Sequence, residues 1–494
     1  MFASTHYIAA SGSDANNGTS TSSPWAHAPG MAGCSSSCAS YNPVAGDRFI
    51  LRGGDTWTVP GGGWWWNWNW GGSNGNPIYI GVDQTWYSGS SWHRPIFNGK
   101  GADFTNGGFV NAANNYITFD NFEFTGLGIT GQCGWGNCQY FSYNANTYII
   151  LENSYFHGWS HSGGANDNMS VVGGDSHAPT ENAGCQFIYN VVDGSDSTNG
   201  GDSGAAIFHG PPIIHHNVIR YVTNALEPNA NDVHDNYIEH VNLSFDPTSH
   251  ENAFENLGHG SYPGYYYNNV INTTTAVTWW TCPDSGSTEY VFNNVVYNTD
   301  NGNVYNICGG SYFGAGNLQY SFNNTWECGR DSNPTQTCSD FTNGPFGTLN
   351  ASNNQWVTSG SIRLGCGSDG TCNTTTEILE TKSAANAAGY TMANQFAPTA
   401  ANSPTVGTGT NRTSWCTSIP SAPAGYGDQA GAKAACQQDT TLGVGYDQTN
   451  HVVISPNRTP QPRPASGAWD VGAYEFSTSD TPPNPPTGLA ATVQ

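Results

Sequence analysis

The chain is expected to fold as an all-β solenoid, a right-handed parallel β-helix with an N-terminal cap and disulfide-closed loops. Three observations predict it. A short phrase recurs, aromatic and charged residues are unevenly balanced, and almost no segment carries an amphipathic helical period. The phrase is an aromatic or aliphatic pair, then Asn, then β-prone residues. It reads Phe119-Asp120-Asn121-Phe122, Ile150-Leu151-Glu152-Asn153, Phe187-Ile188-Tyr189-Asn190-Val191-Val192 and Ile213-Ile214-His215-His216-Asn217-Val218-Ile219. It continues as Val233-His234-Asp235-Asn236-Tyr237-Ile238, Tyr266-Tyr267-Asn268-Asn269-Val270-Ile271, Tyr290-Val291-Phe292-Asn293-Asn294-Val295-Val296 and Tyr320-Ser321-Phe322-Asn323-Asn324-Thr325-Trp326. Spacings of roughly 20–40 residues are those of solenoid coils, in which equivalent side chains stack into columns. A β-propeller, the structural rival, would repeat more evenly. The repeated Asn suits either a ladder of side-chain amides or a left-handed turn residue, and both fit a β-helix.

Composition agrees. Charged residues are 10% of the 494, aromatics 13%, and Gly numbers 62, the profile of a packed, turn-rich β protein rather than a disordered one. The formal net charge of −24, with 12 Lys and Arg in total, argues against a nucleic-acid partner, which needs clustered cations. A polyanionic glycan would be repelled unless Ca²⁺ bridged carboxylates, whereas a neutral polymer would not. No apolar stretch approaches a membrane span. The 13 Cys fall mostly in short local pairs, Cys34/Cys38, Cys133/Cys138, Cys328/Cys338, Cys366/Cys372 and Cys416/Cys436, with Cys282/Cys308 as a candidate inter-coil bridge and Cys185 left as a buried thiol. None has C-x-x-C metal spacing, so loop-closing disulfides and a secreted, extracellular protein are expected. Met1 is expected to replace a removed export signal, and the protein to be a monomer.

Residues 6–60 read as a cap: His6-Tyr7-Ile8-Ala9-Ala10-Ser11-Gly12-Ser13-Asp14, Gly18-Thr19, Ser23-Pro24-Trp25, then Ala45-Gly46-Asp47-Arg48-Phe49-Ile50-Leu51-Arg52-Gly53-Gly54. In order, these segments resemble the start of secreted right-handed parallel β-helix proteins of the pectate-lyase-like superfamily. Ser466-Gly467-Ala468-Trp469-Asp470-Val471-Gly472-Ala473-Tyr474-Glu475 is similar to the closing strand of bacterial members. The resemblance covers 1–476 and implies the fold far more than an activity. One short helix is expected within 380–400. Residues 477–486 form a Pro-rich linker, and 487–494, Thr487-Gly488-Leu489-Ala490-Ala491-Thr492-Val493 onward, resemble the first strand of a fibronectin type III module.

Stacking the strands predicts an inward column of Val171, Ile207, Leu226, Phe254 and Tyr305. The outward column is Val172, Phe208, Glu227, Glu255, Trp279 and Asn306, because strand side chains alternate. Glu227 and Glu255 would then lie about 4.8 Å apart on adjacent coils. Two like charges that close disfavour joint ionisation, which supplies the acid and the carboxylate of glycosidic cleavage, with a retaining outcome at about 5 Å separation. The other reading gives the two Glu a structural or Ca²⁺-binding role. Phe208, Trp279, Trp280, His209, His259 and Asn306 are the candidate substrate contacts. Asp232 and His250 are further candidate catalytic groups, His250 because imidazole titrates near neutrality; the competing reading of the histidines is polar loop packing, and no zinc spacing supports a metal there. Asp193, Asp196 and Asp202 are a candidate Ca²⁺ loop or a solvated turn.

Two look-alikes are set aside. Gly258-His259-Gly260 resembles the GHG of polygalacturonases, but no paired Asp precedes it and no Arg-x-Lys follows. Gly201-Asp202-Ser203-Gly204 matches the nucleophile motif of trypsin-like proteases, which needs a double barrel and a different chain order. Gly61-Gly62-Gly63-Trp64-Trp65-Trp66-Asn67-Trp68-Asn69-Trp70 is either a glycan-stacking platform or the plug of the solenoid's end. The expected activity is cleavage of a neutral or weakly charged extracellular polysaccharide by paired carboxylates, a glycoside hydrolase needing no cofactor. The alternatives are a non-catalytic glycan-binding or surface-structural protein, and a Ca²⁺-dependent polysaccharide lyase.

Overall fold

The computed structural model describes residues 3–105, 107–129, 138–161, 169–173, 182–197, 205–208, 210–242, 252–256, 258, 260–275, 277–281, 284–299, 304–308, 316–329, 339–343, 347–358 and 370–477. Short parallel strands wind through three sheets, the right-handed parallel β-helix expected from the repeat. The chain divides into two units, an N-terminal one (1–212 with 246–250) and a C-terminal one (213–245 with 251–494).

In the N-terminal unit the first sheet runs from Thr5–Ile8 to Gln186–Ile188. The second runs from Trp66–Trp68 to Ala205–Phe208, and the third from Thr56–Thr58 to Val191–Asp193. The cap is organised by buried carboxylates. Asp47 accepts from the Ser4 and Val44 N–H groups at 2.8 Å and from the Tyr41 hydroxyl at 2.7 Å. Asp14 does the same for Ala26 and His27, and Cys34–Cys38 closes the adjoining loop. Within the tryptophan run Trp66 and Trp68 are fully buried, with Trp66 against Phe97 and Phe119, while Trp64 and Trp70 are half-buried.

In the C-terminal unit the first sheet runs from Ile213–His215 to Thr371–Thr375. The second runs from Asn224–Glu227 to Ser339–Asn343, and the third from Val218–Val222 to Ile378–Thr381. Each coil passes from the first sheet to the third through a tight corner, and there the recurring Asn does both jobs anticipated for it. The first corner residue is left-handed: His216, Asp235, Asn268, Asn293, Asn323, Asn353 and Thr376 all have φ between 53° and 58°, which Asn tolerates best among residues with a Cβ. The second forms a ladder in which each amide nitrogen donates to the next amide oxygen. Asn217, Asn236, Asn269, Asn294, Asn324 and Asn354 are linked at 2.9–3.1 Å. Glu377 ends it, accepting from Asn354 at 3.1 Å and from the Trp356 indole at 2.6 Å. Burial raises the Glu377 carboxyl to about 7, against these hydrogen bonds.

The C-terminal segment then folds back over the first sheet. Tyr267, Phe292 and Phe322 stack in line, and Cys416, Ile419, Ala432, Cys436 and Trp469 cover them. The Cys416–Cys436 disulfide joins the helices Thr413–Ser418 and Gln429–Cys436. Cys138, Cys328 and Cys372 are also disulfide-bonded, and Cys185 is a buried free thiol. The helix expected within 380–400 is confined to Lys382–Ala387, capped by the Thr381 hydroxyl, with a 3₁₀ turn at Met392–Asn394. Residues 466–475 are not the strand that was expected. They return as irregular chain, because their amides bond side chains and loop carbonyls, Gly472 to Asn353 O and Ala473 to Thr325 Oγ1. Among the described residues no helix is long and apolar enough to cross a membrane. The Pro-rich linker beyond Ser477 and the fibronectin-like residues 487–494 lie outside the described residues.

Candidate active site

The second sheet of the C-terminal unit aligns Leu226 with Phe254, Phe254 with Trp279, Glu255 with Trp280, Trp280 with Asn306 and Asn306 with Asp340. Phe254 and Trp279 face the interior, with ring centroids 4.3 Å apart. Alternation therefore sets Glu227, Glu255 and Trp280 along one outer column, with Asn306 and Asp340 at the next register positions. The Glu pair is as expected. Trp279 is not in that column: it is fully buried against Phe254 and Trp326, and Trp280 takes the outward place. The cause is a one-residue register difference, which moves a side chain to the opposite face. The same slip occurs in the N-terminal unit, where Val172, not Val171, pairs with Ile207, leaving Gly173 level with Phe208.

Both glutamates are shielded, Glu227 at 4% and Glu255 at 1% exposure. Each is engaged by an Asn three residues earlier: Asn224 donates to Glu227 Oε2 at 2.9 Å, and Asn252 donates to Glu255 Oε2. Two strands thus repeat one motif, Asn224-Ala225-Leu226-Glu227 and Asn252-Ala253-Phe254-Glu255. The asparagines were not anticipated, although the repeated spelling signals them. Asp340, a further carboxyl residue at a register position of the column, was also missed. Around the pair, two buried polar atoms have no hydrogen-bond partner among the described residues, the Trp280 indole nitrogen and Asn224 Oδ1. Buried polar groups are otherwise nearly always satisfied, so a donor and an acceptor here are available to a polar ligand.

Asp232 does not join this column. It lies in the first sheet, strand Asp232–His234, where it is sealed and accepts the Asp428 N–H at 2.8 Å. Burial raises its carboxyl to about 8, with Asp428 and Asp235 adding to the effect. Beside it His234 Nδ1 is 2.7 Å from Asp235 Oδ2, and His215 Nδ1 is 2.9 Å from His216 Nδ1. Burial lowers His216 to about 4 and His234 to about 3, so both imidazoles are neutral near pH 7. His216, His234 and Asp235 are the group among the described residues that could hold a metal, their ligand atoms lying within 4.8 Å of one another.

In the acidic turn of the N-terminal unit, Asp196 accepts from His157 Nδ1 at 2.7 Å and from the Gly158 N–H at 2.9 Å, and Asp193 accepts from the Ser195 N–H. Burial pulls the His157 imidazole down, but Asp196 and Glu123 outweigh it and hold the group at about 9. The Gly258–Gly260 turn is clasped by Asp284, which accepts the Gly260 N–H at 2.6 Å. His209, His250, His259 and Asp202 lie outside the described residues, as do the side chains of Phe208, Asn306 and Asp340.

No protein-family profile matches the sequence, and no curated protein is significantly similar to it. Among solved structures the fold is similar to pectate lyase Pel9A, at 15% identity over 97% of both chains and TM-score 0.36. It is also similar to the GH136 lacto-N-biosidase from Eubacterium ramulus (12% identity, 76% of this chain and 68% of that one, TM-score 0.41). XylC, solved with xylose, is similar at 10% identity over 75% of this chain and 70% of that one, with TM-score 0.41. At these scores the likeness carries no inference about the site.

Proposed function

We propose that the protein is a secreted carbohydrate-active enzyme, a glycoside hydrolase acting on a neutral or weakly charged polysaccharide, with Glu227 and Glu255 as its paired carboxylates. The observation that carries this reading is the Leu226–Phe254 pairing, which makes the two glutamates neighbours on adjacent rungs. Burying two carboxylates side by side is costly to folding, and a reaction that needs two carboxyl groups at that spacing gives a reason to keep them there. One protonates the leaving glycosidic oxygen while the other attacks the anomeric carbon, and water then releases the glycosyl-enzyme with retention. Asn224 and Asn252 each hold one carboxylate oxygen. Trp280, beside Glu255, offers its ring to a sugar face and its N–H to a hydroxyl. The net charge of −24 favours an uncharged substrate.

The product identifies the chemistry. Wild-type protein incubated with a panel of neutral and acidic polysaccharides is expected to release reducing ends without ultraviolet-absorbing unsaturation, the first-formed anomer matching the substrate by NMR. Unsaturated ends would make it a lyase, and binding without cleavage across the panel would make it a glycan-binding protein.

A further inference from the structure

We propose that the corner cluster His216, His234 and Asp235 is a zinc-class metal site that fastens two adjacent coils beneath the C-terminal segment. The inference is independent of the activity proposed for the glutamates. It begins with the repeat. The left-handed corner position carries Asn in four successive coils, Asn268, Asn293, Asn323 and Asn353. In the two preceding coils it carries His216 and Asp235 instead. Neither type suits a positive φ better than Asn does, so local conformation does not explain the exchange. Tyr189 and Thr376 also depart from Asn at this position, but His216 and Asp235 are the two that fall where His234, at the end of the strand Asp232–His234, reaches the same corner.

The three side chains present two imidazoles and one carboxylate, with ligand atoms within 4.8 Å of one another. Tetrahedral Zn²⁺ with bonds near 2.0–2.1 Å sets its ligands about 3.4 Å apart, so small side-chain adjustments suffice. Imidazole ligands favour zinc and its transition-metal neighbours over Ca²⁺, which takes oxygen. The surroundings match what orients such ligands. Asp232 Oδ1, buried and without a hydrogen bond among the described residues, faces His234 Nε2 at 3.9 Å while the other ring nitrogen faces Asp235. A carboxylate behind a metal-bound imidazole is the usual second support. Asp235 is in turn gripped by Asn268 Nδ2 and by the Thr441 hydroxyl, so an ion there would tie the returning segment to the coil. The ring of His234 is held in plane between His215 and Tyr267, at centroid distances of 4.6 and 4.5 Å.

The test uses the whole chain without a histidine tag, stripped with EDTA, titrated with Zn²⁺ and dialysed. Metal content by mass spectrometry is expected to be about one equivalent per chain, and Co²⁺ in place of Zn²⁺ should give the visible absorption of a low-coordinate site. His216→Asn and Asp235→Asn restore the residue that other corners carry. Each is expected to keep the far-UV circular dichroism of the wild type and to weaken Zn²⁺ at least tenfold. His93→Asn, at an exposed position in the other unit, should bind as wild type does. A wild-type chain that retains no zinc beyond that of the His216→Asn/Asp235→Asn double variant, or whose thermal midpoint does not move with Zn²⁺, overturns the proposal.

Discussion

The first and second sheets of the C-terminal unit both bury polar side chains on their outer faces, but to different ends. On the first sheet the covering segment answers many of the buried groups, with Asp232 Oδ1, Asn268 Oδ1 and Gln319 Oε1 left without a hydrogen bond among the described residues. Asn293 donates to the Ala435 and Gln438 carbonyls and accepts from Arg463, while Tyr267, Phe292 and Phe322 stack under Ile419, Ala432 and Trp469. On the second sheet Glu227 and Glu255 lie side by side, with an unsatisfied indole N–H and an unsatisfied amide oxygen beside them. The first arrangement is what burial requires for stability. The second keeps like charges and open valences at a cost to stability, as functional sites do. Changes to the first face should therefore reduce stability and spare activity, and changes to the second should do the reverse.

The largest stability effect is expected at Trp469, fully buried in the sealed face with its indole on the Pro464 carbonyl. Trp469→Ala should cost about 3–5 kcal/mol by chemical denaturation, with turnover per folded molecule unchanged. Next comes the ladder. Asn294→Ala strands the Asn269 amide and the Tyr266 carbonyl and should cost about 2–3 kcal/mol. Its counterpart in the N-terminal unit is Ser154, whose hydroxyl accepts the Phe122 N–H at 3.2 Å, and Ser154→Ala should cost only about 1 kcal/mol. A smaller, pH-dependent effect belongs to His157. Its folded value of about 9 lies above the ordinary 6.5. The stabilisation is therefore fully present below pH 6.5 and is lost as pH rises through 9. Because Asp196 is half exposed, the difference should be roughly 1–2 kcal/mol, seen as thermal midpoints of wild type and His157→Gln converging above pH 9. Asn224→Ala should cost about 1–2 kcal/mol and is distinguished by its readout, since removing a donor to Glu227 should also move the pH–rate profile.

These contrasts also show what the sequence could reveal. The corner phrase was legible because one residue type satisfies both of its demands, a left-handed backbone at the first position and an amide ladder at the second. The stacking of the Glu pair is legible because Ala225-Leu226-Glu227 and Ala253-Phe254-Glu255 repeat one small-hydrophobic-acid pattern. Stacking by sequence puts Trp279 on the outer face, whereas the register puts Trp280 there, because Trp279-Trp280 offers two adjacent aromatic residues and only the hydrogen-bonded register decides which one points out. Asp232 looked catalytic by proximity in sequence, yet the chain turns onto another sheet between Glu227 and Asp232. The covering segment could not be placed, since its short helices and irregular return have no repeat to align. The His216, His234 and Asp235 grouping emerges only once the corners are superposed, when the first two of the C-terminal unit are seen to carry His and Asp in place of Asn.

The most direct measurement compares reducing-end release by wild type, Glu227→Gln and Glu255→Gln at equal concentrations of folded protein. Paired-carboxylate catalysis predicts a loss of at least about a thousandfold in each variant, since each removes a group the reaction needs, with thermal midpoints equal to or above that of wild type. Cleavage that survives both substitutions, or that falls only in proportion to unfolding, would contradict the assignment of Glu227 and Glu255.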